Sequence, residues 1–296
     1  MNVFLNSVIV GLAIGSVFGL IALGYTVVHK ATNVVNLAQG DLVMVGVLLA
    51  YWFLSVLHWP QILAFAGVVV LLVAIACLEE RIAVRPFLSA AYRGNMLGWL
   101  ITTLAFSLML EGIASIRYGN NPVQQINSFL PDTSWHIGSL PVQYRMIVPI
   151  AVLVIATICL DLFYSRTWMG TAMRASADDR ELAGLRGVSP QSISRLSFAI
   201  AGGMAAVAAF AIAPIVGADP TIGLSYGLTG FVAIAIGGFG NVRGAIAGAL
   251  LLGVAQQLFD VYVNPNFQDA APLGLLLLVL LVRPNGLLSS ARIRTA

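Results

Sequence analysis

The chain has 296 residues, of which 59% are hydrophobic and only 9% are charged, and its mean hydropathy is +0.93. Ordinary soluble domains are about one quarter charged, so a soluble fold could not bury this much apolar surface. The net charge of +3 indicates basic loops beside a membrane rather than a nucleic-acid partner. The apolar runs are continuous and lack the alternation of a transmembrane β-barrel. We therefore predict an all-α, polytopic transmembrane helical bundle that forms a single domain over residues 1–296.

Nine apolar segments follow one another along the chain, and most approach the roughly 20 residues that a helix needs to cross a bilayer. The segment at 226–240 is short and interrupted by glycine, so it is either a crossing or a re-entrant, broken helix. The sequence therefore predicts eight or nine crossings. The predicted segments are 4–28, 38–57, 61–78, 97–117, 146–164, 195–216, 226–240, 244–263 and 269–283.

Glycines recur at intervals of four residues in the first and eighth apolar segments. Gly11, Gly15 and Gly19 share one face of the first predicted helix, and Gly244 and Gly248 repeat the spacing late in the chain. Small residues at this interval let helix backbones approach closely in lipid. We expect these five glycines at tight helix contacts.

Two interrupted stretches precede apolar segments and form a candidate translocation path. They read VNLAQGD at 35–41 and IGGFGNVRG at 236–244. Broken helices at corresponding positions of two halves point to a transport site, so the similarity indicates either an internal repeat or a chance match. An acid inside the fourth segment is a further candidate, with a structural hydrogen bond as the alternative. The candidate residues are Asn36, Gln39, Gly40, Asp41, Glu111, Gly237 and Gly238.

Charge is concentrated in one internal loop at about 166–195. Ser176 resembles the N-cap of a short helix, with Asp179 three residues later, and Gly187 is suited to end that helix. An exposed helix between two spans could lie in a groove of a cytoplasmic partner, and the alternative is a surface helix without a partner. The residues of this loop that we single out are Arg174, Ser176, Asp178, Asp179, Glu181, Ala183, Gly184 and Gly187.

Basic residues favour one side of the membrane. With nine crossings, every basic residue outside the apolar segments falls on one side, except Arg117 and Arg145. Because cytoplasmic loops are enriched in lysine and arginine, the loop at 166–195 and the C-terminus are predicted to be cytoplasmic. Removing one crossing would move one end of the chain to the other side.

No reactive cluster in the sequence indicates an enzyme or a metal site. The three histidines are far apart, and both cysteines lie in apolar runs. A P-loop needs a lysine followed by serine or threonine, whereas the single lysine, Lys30, is followed by Ala31. We therefore predict no catalytic residue, metal or cofactor in this chain and expect any ATP to be used by a separate subunit.

Several motifs occur in order along nearly the whole chain. They are GLAIGSVFGLIALGYTVV at 11–28, NVVNLAQGDLVMVG at 33–46, RASADDRELAGLRGVSP at 174–190, AIGGFGNVRGAIAGALLLG at 235–253 and LLLLVLLVRPNGLL at 275–288. Together they resemble the LivH-type permeases of bacterial branched-chain amino acid ABC transporters. The stretch at 36–41 is similar to the family's Asn-Phe-Ala-His-Gly-Glu segment, with Leu37, Gln39 and Asp41 in place of Phe, His and Glu.

This resemblance implies an inner-membrane permease subunit of an ATP-driven importer that works by alternating access. The implied partners are a second, LivM-like permease, two cytoplasmic ATPases and a periplasmic binding protein. The loop at 174–190 is then the ATPase-coupling segment. Branched-chain or related amino acids are the implied substrates. Urea, short amides and other small organic solutes are alternatives within the family, and a stand-alone secondary transporter is the alternative from another class.

Overall fold

The computed structural model describes residues 2–88, 96–119, 134–137, 140–178, 180–265, 270–284 and 286–288. A short antiparallel hairpin, β1 (Ser134–Ile137) and β2 (Leu140–Gln143), lies between two of the membrane helices. The helices are α1 (Asn2–Thr32), α2 (Gln39–Tyr51), α3 (Gln61–Glu79), α4 (Met96–Tyr118), α5 (Tyr144–Arg166), α6 (Trp168–Asp178), α7 (Arg180–Leu185), α8 (Pro190–Val216), α9 (Ile222–Gly237), α10 (Val242–Tyr262) and α11 (Ala270–Val282).

The predicted polytopic helical bundle is confirmed. Within the described residues, seven helices are long and apolar enough to span a membrane, and α9 and α11 are shorter apolar helices. Together they coincide with the nine predicted segments. The helices α1, α2 and α8 are mostly buried, whereas α3, α4 and α5 expose most of their apolar surface. The first group therefore forms the centre of the bundle, and the second group lies at its periphery.

Turns of π-helix follow α2 and α3, and the second turn makes α3 longer than the sequence predicts. A turn of π-helix, Trp52–Val56, prolongs α2, and another, Glu80–Val84, prolongs α3. The third predicted segment ends at residue 78 and is therefore too short. The extension brings Glu79 and Glu80 inside the bundle, where both are at most 1% exposed.

Successive membrane helices run in opposite directions, as side-chain and backbone contacts show. Contacting pairs that advance together along two helices indicate a parallel pair, and pairs that run in reverse indicate an antiparallel pair. Two pairs of helices are antiparallel: α1 and α10, from the contacts Gly11–Val254 and Gly15–Leu250, and α3 and α8, from Phe65–Phe210 and Leu72–Gly202. Two pairs are parallel: α2 and α8, from Gln39–Ala201 and Gly46–Ala209, and α1 and α9, from Ile21–Gly230 and His29–Phe239.

This alternation gathers the joints after α1, α3, α5, α9 and α11 at one end of the bundle, which we call the basic end. Three contacts connect these joints. Arg85, after α3, donates a 3.0 Å hydrogen bond to the Gln191 side chain at the start of α8. The rings of His29 and Phe239 lie 5.2 Å apart. The Asn241 amide, before α10, donates a 2.8 Å bond to a carbonyl of the segment after α11.

The structure places the two candidate stretches at different kinds of position. The stretch at 35–41 includes part of the break between α1 and α2, and a second break, at 217–221, separates α8 from α9. The stretch at 236–244 contains the end of α9, the start of α10 and the turn between them at the basic end.

The five glycines of the packing motif all lie where two helices touch. A Cβ on Gly11 would be 2.7 Å from the Val254 Cα, and one on Gly15 would be 2.9 Å from the Ala249 carbonyl oxygen. Gly19 lies between α5 and α10. Gly244 and Gly248 face the backbone of α9. A larger side chain at the four glycines that face backbone would push the helices apart, whereas at Gly19 the end of the Leu153 side chain would have to move.

Candidate functional site

A group of polar side chains is buried between α2, α3, α4 and α8. Asn36, Gln39, Asp41, Glu79 and Ser107 are each at most 2% exposed. We call these five residues the central polar cluster. Burying so many polar groups in a membrane bundle is costly, so polar residues there are functional candidates.

Side-chain hydrogen bonds hold the break between α1 and α2. The Asn36 Oδ1 accepts a 3.0 Å bond from the Ala38 N–H, and its Nδ2 donates a 3.2 Å bond to Glu79 on α3. The Gln39 Nε2 donates a 3.2 Å bond to the Ala201 carbonyl of α8. These bonds fix the point at which α2 begins, and Gly24 leaves the space on α1 that the Gln39 side chain occupies.

The first turns of α2 and α9 meet at Asp41. The Ser107 hydroxyl donates a hydrogen bond to the Asp41 Oδ2. A Cβ on Gly223 would overlap the other Asp41 oxygen, and one on Gly40 would overlap the backbone of Gly223 and Gly227. Glycine is therefore required where these two helices touch. Because the N-terminal end of a helix is electropositive, the carboxylate lies at a favourable position on α9.

This meeting point lies well inside the bundle. Ser107 is near the middle of α4, and Glu111 is one turn further along the same helix. Glu111 is half-buried and lies close enough to Asp41 for the two carboxyl groups to interact electrostatically. The structure therefore brings Glu111 together with the first predicted stretch of the path.

The second predicted stretch lies elsewhere. Gly237 is 14 residues beyond Gly223 on α9, which corresponds to about 21 Å of helix. Gly237 packs against the Gly244 backbone, and Gly238 has a φ of 102° in the turn that follows. These two glycines thus belong to the α9–α10 turn and are not part of the group around Asp41.

Sequence reasoning missed Glu79 and Ser107 of the central polar cluster, the neighbouring buried Glu80, and two glycines that lie beside the cluster. Glu79 and Glu80 follow an apolar run and precede arginines, so they look like part of a polar loop. Gly223 and Gly227 are spaced four apart, which is the signal that could have found them. Their contact with Gly40 appears only when two distant parts of the chain are folded together.

The loop at 166–195 is more helical than predicted. Only Thr167 separates α5 from α6, and α6 continues through Ser176 to Asp178. Ser176 is 2% exposed and lies inside a helix, so its prediction as an N-cap was wrong. Glu181, Ala183 and Gly184 belong to α7, and Asp179 lies outside the described residues.

The end of α7 follows the prediction. Gly187 has a φ of 85°. Its N–H donates a 3.0 Å bond to the Gly184 carbonyl, and the Val188 N–H donates a 3.0 Å bond to the Ala183 carbonyl. This is the hydrogen-bond pattern of a Schellman motif, which ends a helix with glycine in a left-handed conformation. Pro190 then begins α8, with the Ser189 side chain as its N-cap.

An aromatic contact attaches α6 to α1 and α5. The Tyr164 ring, near the end of α5, lies 4.8 Å from the Lys30 ammonium and 5.9 Å from the Arg174 guanidinium. Cations are attracted to the faces of aromatic rings at such distances. Gly170 also lets the first turn of α6 lie on the backbone of Phe163 and Tyr164. Tyr164 therefore joins α6 to the end of α1.

Large apolar side chains are exposed on this part of the basic end. Leu185 of α7 is 85% exposed, and Trp168 of α6 is 77% exposed. Leu182, one turn before Leu185, is also exposed. Apolar side chains grouped beside charged residues are typical of a protein-binding surface.

Comparison with known proteins identifies the family. Residues 7–280 match the family described as branched-chain amino acid transport system, permease component. The chain belongs to this family. It is 31% identical to the high-affinity branched-chain amino acid transport system permease protein LivH of Escherichia coli strain K12, over 96% of this chain and 95% of that protein. It is 32% identical to BraD of Pseudomonas aeruginosa over the same shares.

A solved structure has a similar fold. The chain superimposes on PsaBC from Streptococcus pneumoniae, determined in complex with a Fab, with a TM-score of 0.50 and 16% sequence identity. The match covers 95% of this chain and 92% of that chain. The family is one of transport permeases and not of enzymes, so the protein is a multi-pass membrane permease component.

Proposed function

We propose that this chain is a permease subunit of an ATP-driven importer that carries branched-chain or related amino acids across a bacterial inner membrane. The match over residues 7–280 to a family of branched-chain amino acid permeases is the observation that carries the proposal. The relatives that are branched-chain amino acid permeases are similar to this chain over almost its whole length. The partners in this proposal are a second, LivM-like permease, two cytoplasmic ATPases that use ATP, and a periplasmic binding protein.

The basic end of the bundle faces the cytoplasm in this proposal. Lys30, Arg85, Arg174 and Arg243 are at or near this end, whereas Arg117 is at the end of α4 on the opposite side. Short cytoplasmic loops of membrane proteins carry an excess of lysine and arginine. This orientation makes the α6–α7 segment and the C-terminus cytoplasmic and the N-terminus periplasmic.

The ATPase would bind the α6–α7 segment. The exposed side chains of Leu185 and Leu182 offer an apolar contact, and the end of α7 is fixed by Gly187. Arg174, Ser176, Ala183 and the acidic residues Asp178, Asp179 and Glu181 complete the proposed coupling loop. Closure of two ATPases on ATP would displace this loop toward or away from the membrane.

The contact at Tyr164 provides a route from this loop to the path. Movement of α6 acts through Tyr164 on Lys30 at the end of α1. Five residues before Lys30 on α1, the Tyr25 hydroxyl donates a 3.1 Å hydrogen bond to the Gly227 carbonyl of α9. Rocking of α1 would therefore move α9 relative to α2 and open or close the junction at Gly40. Alternating access requires such a two-state element between the two sides.

The proposal is tested by isolation of the tagged chain in mild detergent, followed by uptake of radiolabelled leucine into proteoliposomes made from the isolated complex. We expect a P-loop ATPase and a second permease to co-purify, and leucine to accumulate only with ATP and the binding protein. Leu185→Glu should reduce ATPase recovery, while Leu277→Gln on the exposed face of α11 serves as a control. A chain that purifies alone and transports leucine without ATP would overturn the proposal.

A further inference from the structure

We propose that Asp41 is the ammonium-binding residue of the translocation path, so that the path favours α-amino acids over neutral solutes of the same size. The inference rests on the proposed function and adds a chemical basis for selection inside the membrane. It also separates amino acids from urea and amides, which carry no ammonium group.

The central polar cluster contains buried hydrogen-bond acceptors that have no donor. Among the described residues, the Asp41 Oδ1, the Glu79 Oε1 and the Gln39 Oε1 are buried without a hydrogen-bond partner. All three atoms are oxygens that can accept but not donate while the two acids are ionised. Leaving such atoms unpaired is costly, and a molecule that enters the bundle can supply the donors. An ammonium group brings three donors and a positive charge.

The acids of the central polar cluster have only neutral hydrogen-bond partners among the described residues. The side chains that bond to the two acids are Ser107 on Asp41 and Asn36 on Glu79, and both are neutral. Glu111 adds a third carboxyl group close to Asp41. Anionic groups inside a membrane protein require a counter-charge or a proton. A substrate ammonium would supply that charge during passage.

Asp41 is also placed where a substrate could reach it if two helices moved apart. Asp41 lies at the contact between the first turns of α2 and α9, where Gly40, Gly223 and Gly227 let the two backbones touch. When α9 moves away from α2, these glycines leave open space beside the carboxylate. Glu79 lies on the adjacent helix, toward the basic end. The ammonium group would therefore meet Asp41 first, and Glu79 would follow on the cytoplasmic side.

The test compares wild type with Asp41→Asn, which has nearly the same shape but no charge. Each transporter is purified with its native partners, reconstituted with the binding protein and ATP, and assayed for leucine uptake. Direct binding to the purified complex is measured with radiolabelled leucine and with 2-hydroxy-4-methylpentanoate, in which a hydroxyl replaces the ammonium. Asp161→Asn, at an exposed position of α5, is the matched control.

We expect Asp41→Asn to lower leucine uptake and affinity by roughly 30-fold or more, because the partner of a buried charge is removed. Binding of the hydroxy acid should be unchanged, and the control should behave as wild type. Ser107→Ala keeps the charge but removes a bond to it, so leucine affinity should fall by a few-fold. This second variant tests the site even if Asp41→Asn fails to assemble.

Three outcomes would overturn the inference. Full leucine uptake by Asp41→Asn would mean that the carboxyl group is neutralised by a proton and does not hold the substrate. An equal loss of leucine and hydroxy-acid binding would indicate a structural role. A wild-type complex that carries only neutral solutes would also overturn it, and only that outcome would contradict the proposed amino-acid substrate as well.

Discussion

Gly40 of α2 lies on the backbone of Gly227 of α9. A Cβ added to Gly227 would be only 3.2 Å from the Gly40 Cα, and one added to Gly40 would overlap the Gly227 backbone. Two helices that begin deep inside the bundle thus meet without side chains between them. Backbone contact of this kind is tight when formed and leaves a wide gap when broken, which suits a gate.

Gly40→Ala should prevent this contact from forming. The added methyl group overlaps the Gly223 carbonyl and the Gly227 backbone, and neither can rotate away. We expect leucine uptake to fall by about tenfold or more, since a barrier change of 1.4 kcal/mol already gives a factor of ten. Gly112→Ala, where a Cβ meets no atom within 4 Å among the described residues, is the control. Normal uptake by Gly40→Ala would contradict the proposed gate.

Tyr164→Ala should weaken the link between ATP hydrolysis and transport. It removes the ring that contacts both Lys30 and Arg174. Cation–π contacts contribute roughly 0.5–2 kcal/mol each, so we expect ATP hydrolysis to continue while fewer leucines enter per ATP. Tyr164→Phe keeps the ring and should behave as wild type. The measurement is the ratio of leucine uptake to phosphate release, and equal ratios in all three proteins would exclude this route.

Gly187→Ala should disturb the end of α7. Its φ of 85° costs an L-residue with a side chain roughly 1–2 kcal/mol. We expect less ATPase to co-purify, because the exposed face of α7 loses its fixed orientation. Gly184→Ala is the matched control, since Gly184 lies three residues earlier within α7, has no positive φ, and would place its Cβ more than 4 Å from any neighbouring atom of the described residues. Equal amounts of ATPase co-purifying with the two variants would contradict the proposal that α7 binds the ATPase.

Gly15→Ala should lower the stability of the permease itself. Its Cβ would lie 2.9 Å from the Ala249 carbonyl oxygen and 3.0 Å from the Leu250 Cα, so α1 and α10 must separate. Overpacking of this kind typically costs 1–3 kcal/mol. The thermal unfolding midpoint in detergent should fall. Gly203→Ala on α8, where a Cβ meets no atom within 4 Å in the described part of the chain, should leave it unchanged. A midpoint equal to that of wild type would mean that the contact can relax.

The sequence predicted the helices better than it predicted their ends. Apolar length alone locates each span, because a bilayer imposes one thickness on every crossing. It could not show that α3 continues through Glu79 and Glu80, since acids beside arginines resemble a loop. The buried Glu79 accepts a hydrogen bond from Asn36, which comes from another part of the chain. Similarly, Ser176 has the local pattern of a cap, but α6 begins eight residues earlier at Trp168.

The candidate site was predicted in part. Asn36, Gln39, Gly40 and Asp41 stand out because they interrupt two apolar runs, and they do lie together in the fold. Their partners on α9 could not be chosen from the sequence, where several glycine pairs have equal spacing. Only the direction and depth of each helix distinguish Gly223 from Gly237. Those properties arise from long-range packing.

The last described residues form hydrogen bonds with the C-terminal end of α9, which lies much earlier in the chain. The Leu287 N–H donates a 2.8 Å bond to the Ile236 carbonyl, and the Leu288 N–H donates a 3.2 Å bond to the Gly237 carbonyl at the end of α9. Carbonyls at a helix end otherwise need water or another donor. During synthesis at the ribosome, these two carbonyls of α9 cannot accept their bonds until residues about 50 positions later have been made. A chain truncated before Leu287 would contain all the described membrane helices and still lack the donors for these two carbonyls of α9.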